Sequence, residues 1–196
     1  MVQNIQELQE SLRGDKDIKL ESDILVEGVC IDKYTGFLDG NGYTIQFKSQ
    51  DLFIKEIGTT GVITDCCFEG SISSKEDTVS IIKENNGVIE DCTVDIGVVG
   101  EDRISSLVVE NHGCIQACTS ASDIEGQEEI GGLVVENRGR IQNSTFTGYI
   151  QGDSHTGGVV GLRSLRWRKG RAHHGVSCLA RGQAYLPSPS RAIRSC

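Results

Sequence analysis

Residues 81–152 repeat one pattern three times: IIKENNGVIEDCTVDIGVVG (81–100), LVVENHGCIQACTSASDIEG (107–126) and LVVENRGRIQNSTFTGYIQG (133–152). Equivalent residues lie 26 positions apart without an insertion, and parts of the pattern extend back to residue 61 and forward to residue 161. A repeat this strict is typical of a solenoid, in which each unit buries its apolar face only against its neighbours. The aligned columns include Gly61, Gly87, Gly113 and Gly139; Ile63, Ile89, Ile115 and Ile141; Cys66, Cys92, Cys118 and Ser144; and Ile82, Val108, Val134 and Val160.

The repeating unit predicts strands rather than helices, because it is short, punctuated by glycine and rich in Val, Ile and Thr. Two or three short strands per 26-residue coil, joined by turns, predict a parallel β-helix in which each residue lies over its copy in the next coil. The expected fold class is therefore all-β. A parallel β-helix should occupy residues 17–161, between a capping helix within residues 1–16 and an irregular tail at residues 162–196.

The N-terminal segment predicts a helix over residues 4–14 that covers the first coil. Asn4 is a natural N-cap, Glu7 follows three residues later as in a capping box, and Gly14 is a natural stop. After the helix, the alternating run at residues 17–31 predicts one strand, and residues 39–42 predict a tight turn before a strand at residues 43–47. The apolar face of the helix comprises Ile5, Leu8 and Leu12.

Charge divides the chain at residue 161. Residues 162–196 carry eight Lys or Arg and no acid, so residues 1–161 hold 11 basic and 28 acidic residues, a net charge of −17. Such a body repels nucleic acid and anionic membranes, and its self-repulsion suggests a salty environment. No run approaches the roughly 18 apolar residues that cross a bilayer, and MVQNIQELQESLRG lacks a signal-peptide core. As written, the chain is therefore expected in the cytoplasm, without membrane insertion.

The repeat breaks after Gly157-Gly158-Val159-Val160-Gly161, where Leu162-Arg163-Ser164 replaces the expected Glu-Asn-x-Gly pattern. Two interpretations of residues 162–196 remain open. One is a basic, disordered tail that binds nucleic acid or the acidic body. The other is translation in a shifted reading frame, which leaves the last coil uncapped and its strand edges exposed.

The columns of polar residues have structural interpretations. Cys66, Cys92 and Cys118 are expected to be small buried residues, because stacked parallel side chains have poor disulfide geometry. The asparagine column is expected to form side-chain bonds between coils at a turn. The glutamate column is expected to be a solvated acidic edge, with a bridging Ca²⁺ or Mg²⁺ as the weaker alternative. These two columns are Asn85, Asn111 and Asn137, and Glu84, Glu110 and Glu136.

No catalytic constellation stands out in the sequence, and no residue suggests a cofactor. His112 occupies a variable slot shared with Asn86 and Arg138, which indicates an outward turn position. Asp65 and Asp91 share a column, but the next coils place other residues there. No Ser-His-Asp order, phosphate loop or zinc-protease helix is present.

Two segments, GGLVVENRGRIQNS (131–144) and LVVENHGCIQAC (107–118), resemble the GLUG-type repeat of bacterial and archaeal surface proteins. That repeat reads Gly-Gly-Leu-Val-Gly-x-Asn-x-Gly-x-Ile-x-Asn-Cys. YTGFLDGNGYTIQF (34–47) resembles the rung that commonly precedes it, so the resemblance covers about residues 17–161. The chain departs from the pattern at Lys83, Val109 and Val135, where the family has Gly. The resemblance implies a right-handed parallel β-helix in an adhesin-like protein that is secreted or lies on the cell surface.

Three functions follow as hypotheses. The first is a non-enzymatic, adhesin-like module, a fragment of a longer repeat protein, whose partner is a glycan or a cell-surface protein. The second is a lyase or hydrolase of the pectin-degrading β-helix type, with Asp65 and Asp91 as the nearest approach to a catalytic pair. The third is a degraded gene copy without function.

Overall fold

The computed structural model of the chain describes residues 1–49, 52–75, 78–163 and 177–178. These residues form a parallel β-helix of coils about 26 residues long, preceded by one short helix. The predicted fold class is confirmed. The basic tail predicted at residues 162–196 lies outside the described residues, except for residues 162–163 and 177–178.

Helix α1 spans Ile5–Arg13 and covers the first coil. The Asn4 side chain accepts a hydrogen bond from the Glu7 amide at 3.0 Å, as an N-cap does. Glu7 reaches back to the Gln3 amide at 2.9 Å, one residue earlier than in a standard capping box. Leu8 and Leu12 are fully buried against the interior, so α1 keeps the apolar end of the coil from water.

Four parallel sheets form the walls of the β-helix, and one of them, sheet 3, is present only in the later coils. Sheet 1 contains β1 (Ile18–Lys19), β4 (Phe37–Asp39), β7 (Val62–Thr64), β10 (Val88–Glu90), β14 (Cys114–Gln116) and β19 (Arg140–Gln142). Sheet 2 contains β2 (Ile24–Val26), β5 (Thr44–Ser49), β8 (Cys67–Ser73), β11 (Thr93–Val99), β15 (Thr119–Ser120), β16 (Asp123–Glu125), β20 (Thr145–Phe146), β21 (Tyr149–Gln151) and β24 (Ser177–Cys178).

The remaining strands form the other two walls. Sheet 3 contains β12 (Asp102–Ser105), β17 (Glu128–Gly131) and β22 (Thr156–Gly157). Sheet 4 contains β3 (Ile31–Tyr34), β6 (Ile54–Ile57), β9 (Ile82–Asn85), β13 (Val108–Asn111), β18 (Val134–Asn137) and β23 (Val160–Arg163). Strand β23 therefore continues two residues beyond the boundary expected at residue 161.

Strand register explains the repeat in the sequence. Ile89 pairs with Ile63 below it and with Ile115 above it, so residues 26 positions apart share one column. The first coils are shorter, because Ile18 pairs with Leu38 after only 20 residues. Because of this difference in length, the 26-residue spacing in the sequence does not show that the first coils belong to the same stack.

Two sequence expectations about strands are corrected. The single strand expected at residues 17–31 is divided among β1, β2 and the start of β3, with a bend before Ile24 and another at Gly28, which has a φ of 63°. Alternation of apolar residues continues around the corners of a coil, so it does not mark where a strand ends. The later coils also contain four or five strands rather than two or three, because sheet 3 adds a wall.

The interior is mainly apolar, and the size of the side chains that fill it changes along the axis. Phe47 lies between Phe53 and Phe68, with ring centroids 5.4 Å and 6.0 Å away respectively. Further along, Val94 and then Ser120 occupy the column of Phe68. The first coils are therefore filled by aromatic rings and the middle coils by smaller side chains.

Candidate functional site

The predicted glutamate column lies on sheet 4, where Glu110 pairs with Glu84 on one side and with Glu136 on the other. The structure adds a fourth member, because Glu56 pairs with Glu84. The 26-residue repeat does not reveal Glu56, because this residue lies 28 residues before Glu84. The column is therefore a row of four half-buried carboxylates along one edge of the β-helix.

Three of these carboxylates have a polar partner close by. Lys33 contacts Glu56 at 2.6 Å, and the Arg138 guanidinium contacts Glu136 at 2.9 Å. Glu84 accepts a hydrogen bond from the Asn86 side chain at 2.9 Å. For Glu84 and Glu136, the partner is the residue two positions later in the chain. The side chains in this variable slot therefore offset the repulsion between neighbouring carboxylates.

Glu110 is held by a residue from another sheet. The Arg103 guanidinium in β12 contacts Glu110 at 2.5 Å and Glu129 in β17 at 3.6 Å, while His112 Nε2 lies 3.8 Å from Glu110. The hydrogen bond from Arg103 holds the pKa of Glu110 below its usual value, although partial burial opposes that shift. This bond contributes stability above the unfolded-state pKa of the carboxyl and loses it as the pH falls through the folded-state pKa.

The geometry of the column differs from that of a dedicated cation cage. The described residues contain no group of three or more His, Cys, Asp or Glu side chains placed to hold a metal ion. Glu84, Glu110 and Glu136 instead turn toward Asn86, Arg103 and Arg138. Ca²⁺ and Mg²⁺ would have to displace these partners, because both ions require several oxygen ligands each.

The asparagine column forms a hydrogen-bonded ladder. Asn85 Nδ2 donates to Asn111 Oδ1 at 2.7 Å, and Asn111 Nδ2 donates to Asn137 Oδ1 at 2.7 Å. Asn85 and Asn111 are fully buried, so these amides have no access to bulk water. Asn85 Oδ1 also accepts from the Gly87 amide at 3.1 Å, which joins the ladder to the turn. The ladder begins at Asn85, because the preceding coil has Ile57 at this position.

The cysteine column lies inside the β-helix. Cys66, Cys92 and Cys118 are free and buried. Cys92 Sγ donates to the Glu90 carbonyl at 3.1 Å, and Cys118 Sγ donates to the Gln116 carbonyl at 3.3 Å. The neighbouring Cys92 thiol and burial raise the pKa of the Cys118 thiol, which keeps it protonated and a poor nucleophile. Ser144 continues the column and donates to the Gln142 carbonyl at 2.9 Å, in the same way as the thiols.

The glycine column lies where successive coils pass closest to one another. A Cβ added to Gly113 would collide with the carbonyl oxygen of Gly87, and one added to Gly139 would collide with that of Gly113. The space between coils therefore accepts only glycine at these turns. Gly61 begins the column, where a Cβ would lie 2.8 Å from the Tyr34 carbonyl oxygen.

The two stacked aspartates are turn residues. Asp65 and Asp91 have φ values of 50° and 52°, and Ala117 and Asn143 share that left-handed conformation with 52° and 50°. Asp and Asn adopt this conformation more readily than most residues, so the backbone accounts for the column without a catalytic role. A second left-handed column contains Arg103, Glu129 and His155. Three unlike side chains form it, and a comparison of residue identities in the sequence could not find it.

The two histidines that the structure describes lie in different parts of the coil. His112 is exposed in the variable slot, as expected, and contacts Glu110. His155 lies on sheet 3's side of the coil, with Nδ1 3.2 Å from Ser154 Oγ. His173 and His174 lie outside the described residues.

Comparison with known protein families, with characterised proteins and with solved structures finds no match to this chain. Among the described residues, no helix is long and apolar enough to span a membrane.

Proposed function

We propose that the chain is a non-enzymatic, adhesin-like interaction module that works outside the cell or at its surface and binds a glycan or a cell-surface protein. The proposal rests on one observation: the repeated polar residues form hydrogen bonds, turns and ion pairs that hold the coils together. Asn85 and Asn111 bond to the next coil, Asp65 and Asp91 form left-handed turns, and Glu110 is held by Arg103. The functional surface is then the outer face of the sheets, which presents the same side-chain types at regular intervals.

The net charge of residues 1–161 restricts the class of partner that this surface can bind. Residues 1–161 carry a net charge of −17, and carboxylates stand on the outer face of sheet 2 at Glu69, Asp95 and Asp123. An anionic polymer or a nucleic acid would be repelled from this face. A neutral or cationic glycan, or a basic protein surface, is the partner that we propose.

Binding and cleavage can be measured on the same set of polymers. The purified chain would be tested against immobilised chitosan, a neutral glucan and polygalacturonate, and each polymer would be assayed for new chain ends. We expect binding to chitosan or to the glucan, weak binding to polygalacturonate and no cleavage of any of them. Release of unsaturated uronate from polygalacturonate would overturn the proposal and support a lyase.

The variant Asp91→Asn makes the cleavage test specific. Asparagine keeps the left-handed turn, as Asn143 does in the same column, but removes the carboxylate. A cleavage activity that Asp91→Asn abolishes without lowering the melting temperature would identify an enzyme. Glycan binding that is unchanged in Asp91→Asn, with no cleavage by either protein, is the result expected of a binding module.

A further inference from the structure

A layer of buried hydroxyl groups crosses the interior of the β-helix between the coil of residues 88–113 and the coil of residues 114–139. Ser106, Ser120 and Ser122 are all fully buried. The Ser106 and Ser120 hydroxyls lie 3.0 Å apart, and Ser120 donates to Ser122 at 3.0 Å. Because Ser106 belongs to the earlier coil and the other two to the later one, this chain of hydroxyls lies at the boundary between the two coils.

The same column is apolar on both sides of this boundary. Phe68 and Val94 precede Ser120 in the stacked column, and Phe146 follows it. In the neighbouring column, Ser122 follows Ile96. Two apolar contacts that would join the coils are therefore replaced by hydroxyls. Separation of the coils would let water bond to these hydroxyls, whereas exposure of a valine or phenylalanine would carry the full hydrophobic cost.

The hydrogen-bond ladder of sheet 2 is first interrupted at the same boundary, and the interruption recurs at the next boundary, where β15 pairs with β20 over two residues and β16 with β21 over three. Strand β11 pairs with β8 of the preceding coil over seven residues. On its other side it pairs with β15 over two residues and with β16 over three. Between these strands the Ile96 amide donates to Ser122 Oγ at 3.1 Å. A side-chain hydroxyl thus accepts the hydrogen bond of Ile96 at the break in the ladder.

We propose that this hydroxyl layer, with the interrupted ladder, divides the β-helix into two cooperative units, and that residues 114–163 open as one unit while residues 1–113 remain folded. In a stack of coils, each coil is stabilised mainly by its neighbours, so the weakest interface decides where the stack separates. The asparagine ladder, sheets 1, 3 and 4, and the hydrogen bond from Ser106 to the Gly132 carbonyl all cross the boundary. Opening is therefore a rare fluctuation of a folded protein.

Native-state hydrogen exchange of the ¹⁵N-labelled full chain, followed by NMR, tests this boundary. The Val88 and Thr93 amides bond to the preceding coil and should stay protected when residues 114–163 open. The Cys114 and Thr119 amides bond across the boundary and should exchange at least about tenfold faster. Asp91 gives the sharpest prediction. Its amide bonds forward to the Gln116 carbonyl, so it should exchange with the fast group although it lies in the slow coil.

Opening of a cooperative unit gives a different pattern of exchange rates from fraying at the C-terminal end. The Thr145 and Thr147 amides bond to Cys118 and Ser120 in the coil of residues 114–139 and should exchange at the same rate as Cys114 if the unit opens as a whole. Fraying would instead give a rate that rises from coil to coil, with Thr145 faster than Cys114 and no step between Val88 and Cys114. That gradual pattern would overturn the proposal.

Substitutions test whether the hydroxyl layer causes the tenfold step in amide exchange rate at the boundary. Ser120→Val restores the side chain that Val94 has in the same column and should reduce the tenfold step to less than about threefold. Ser105→Ala is the matched control, because the buried Ser105 hydroxyl bonds to Ser80 and Val108 and not across the boundary. The control should leave the step in place. If Ser120→Val does not fold, Ser120→Ala serves instead, and a step that persists unchanged in the folded variant contradicts the proposal.

Discussion

Ala117 is the one residue of its turn column that lacks a side chain suited to the backbone. Its φ of 52° lies in the left-handed region, where the equivalent residues are Asp65, Asp91 and Asn143. An ordinary L-residue loses about 1–2 kcal/mol in this region, and asparagine loses less because its side chain bonds to nearby backbone. Ala117→Asn should therefore stabilise the protein by about 0.5–1 kcal/mol. Thermal unfolding should show a rise in Tm of about 1–4 °C.

Ala121 supplies the control for that substitution. It is exposed, as Ala117 is, but its φ is not positive, so Ala121→Asn should leave the melting temperature unchanged or lower it slightly. An equal rise in the melting temperature of both variants would mean that asparagine acts through the hydration of its exposed amide. The strain at Ala117 would then not be the cause.

Residue identity shows the columns in the sequence but not the pairs between columns. The stacked Asn, Cys and Gly residues could be found because each contacts its own copy 26 residues away. Arg103 and Glu110 are only seven residues apart, yet they lie on different sheets and meet because the chain turns between β12 and β13. A spacing of seven in a strand-rich chain carries no signal of contact. This pair therefore required the structure.

At the level of elements, the asparagine ladder joins three strands of sheet 4 through side chains. Asn111 accepts from Asn85 and donates to Asn137, so Asn111→Ala removes both bonds. The buried Asn85 amide then keeps only its 3.4 Å bond to the Cys114 carbonyl, and the half-buried Asn137 amide loses its donor. Each such group costs about 1–3 kcal/mol, and a total loss of about 2–4 kcal/mol is expected in denaturant unfolding. The fold should persist, because the backbone pairing of β13 does not use this side chain.

A neighbouring asparagine shows whether burial in the ladder is the cause. Asn86 lies in the variable slot and bonds to Glu84 at the surface, so Asn86→Ala should cost about 0.5 kcal/mol or less. If Asn111→Ala cost no more than Asn86→Ala, the ladder would be a consequence of stacking and would not stabilise it.

Elements with local signals were predictable, and elements that depend on stacking were not. Helix α1 follows from Asn4, Glu7 and Gly14, whose roles depend only on residues close in sequence. Sheet 3 was not predicted, because its strand β12 becomes a wall only through pairing with β17 in the next coil. The buried serines were missed for a related reason. A serine in an alternating strand is normally assigned to the surface, whereas Ser120 points inward.

For the whole molecule, charge decides how stability responds to salt. Asp102 pairs with Glu128 on sheet 3, and Asp123 and Glu125 lie on sheet 2. None of the four has a salt-bridge partner among the described residues. The ion pairs that do form are solvent-exposed or half-buried, and exposed pairs are worth about 0–1 kcal/mol each. Repulsion among 28 acids against 11 bases in residues 1–161 therefore outweighs what screening takes from the pairs.

We expect the melting temperature to rise by several degrees between 10 mM and 500 mM NaCl. The Debye length falls from about 30 Å at 0.01 M to about 8 Å at 0.15 M, so salt screens the repulsion between charges more than about 8 Å apart, which includes most pairs in this acidic body. MgCl₂ at the same ionic strength is the control: screening predicts about the same rise for both salts. A much larger rise with Mg²⁺ at low millimolar concentration would instead mean that the ion binds the carboxylates of Glu84, Glu110 and Glu136 and displaces their partners. A fall in melting temperature with NaCl would show that ion pairs such as Arg103–Glu110 stabilise the fold more than the repulsion destabilises it. Repulsion among the acidic residues would then not be the main unfavourable electrostatic contribution to this fold.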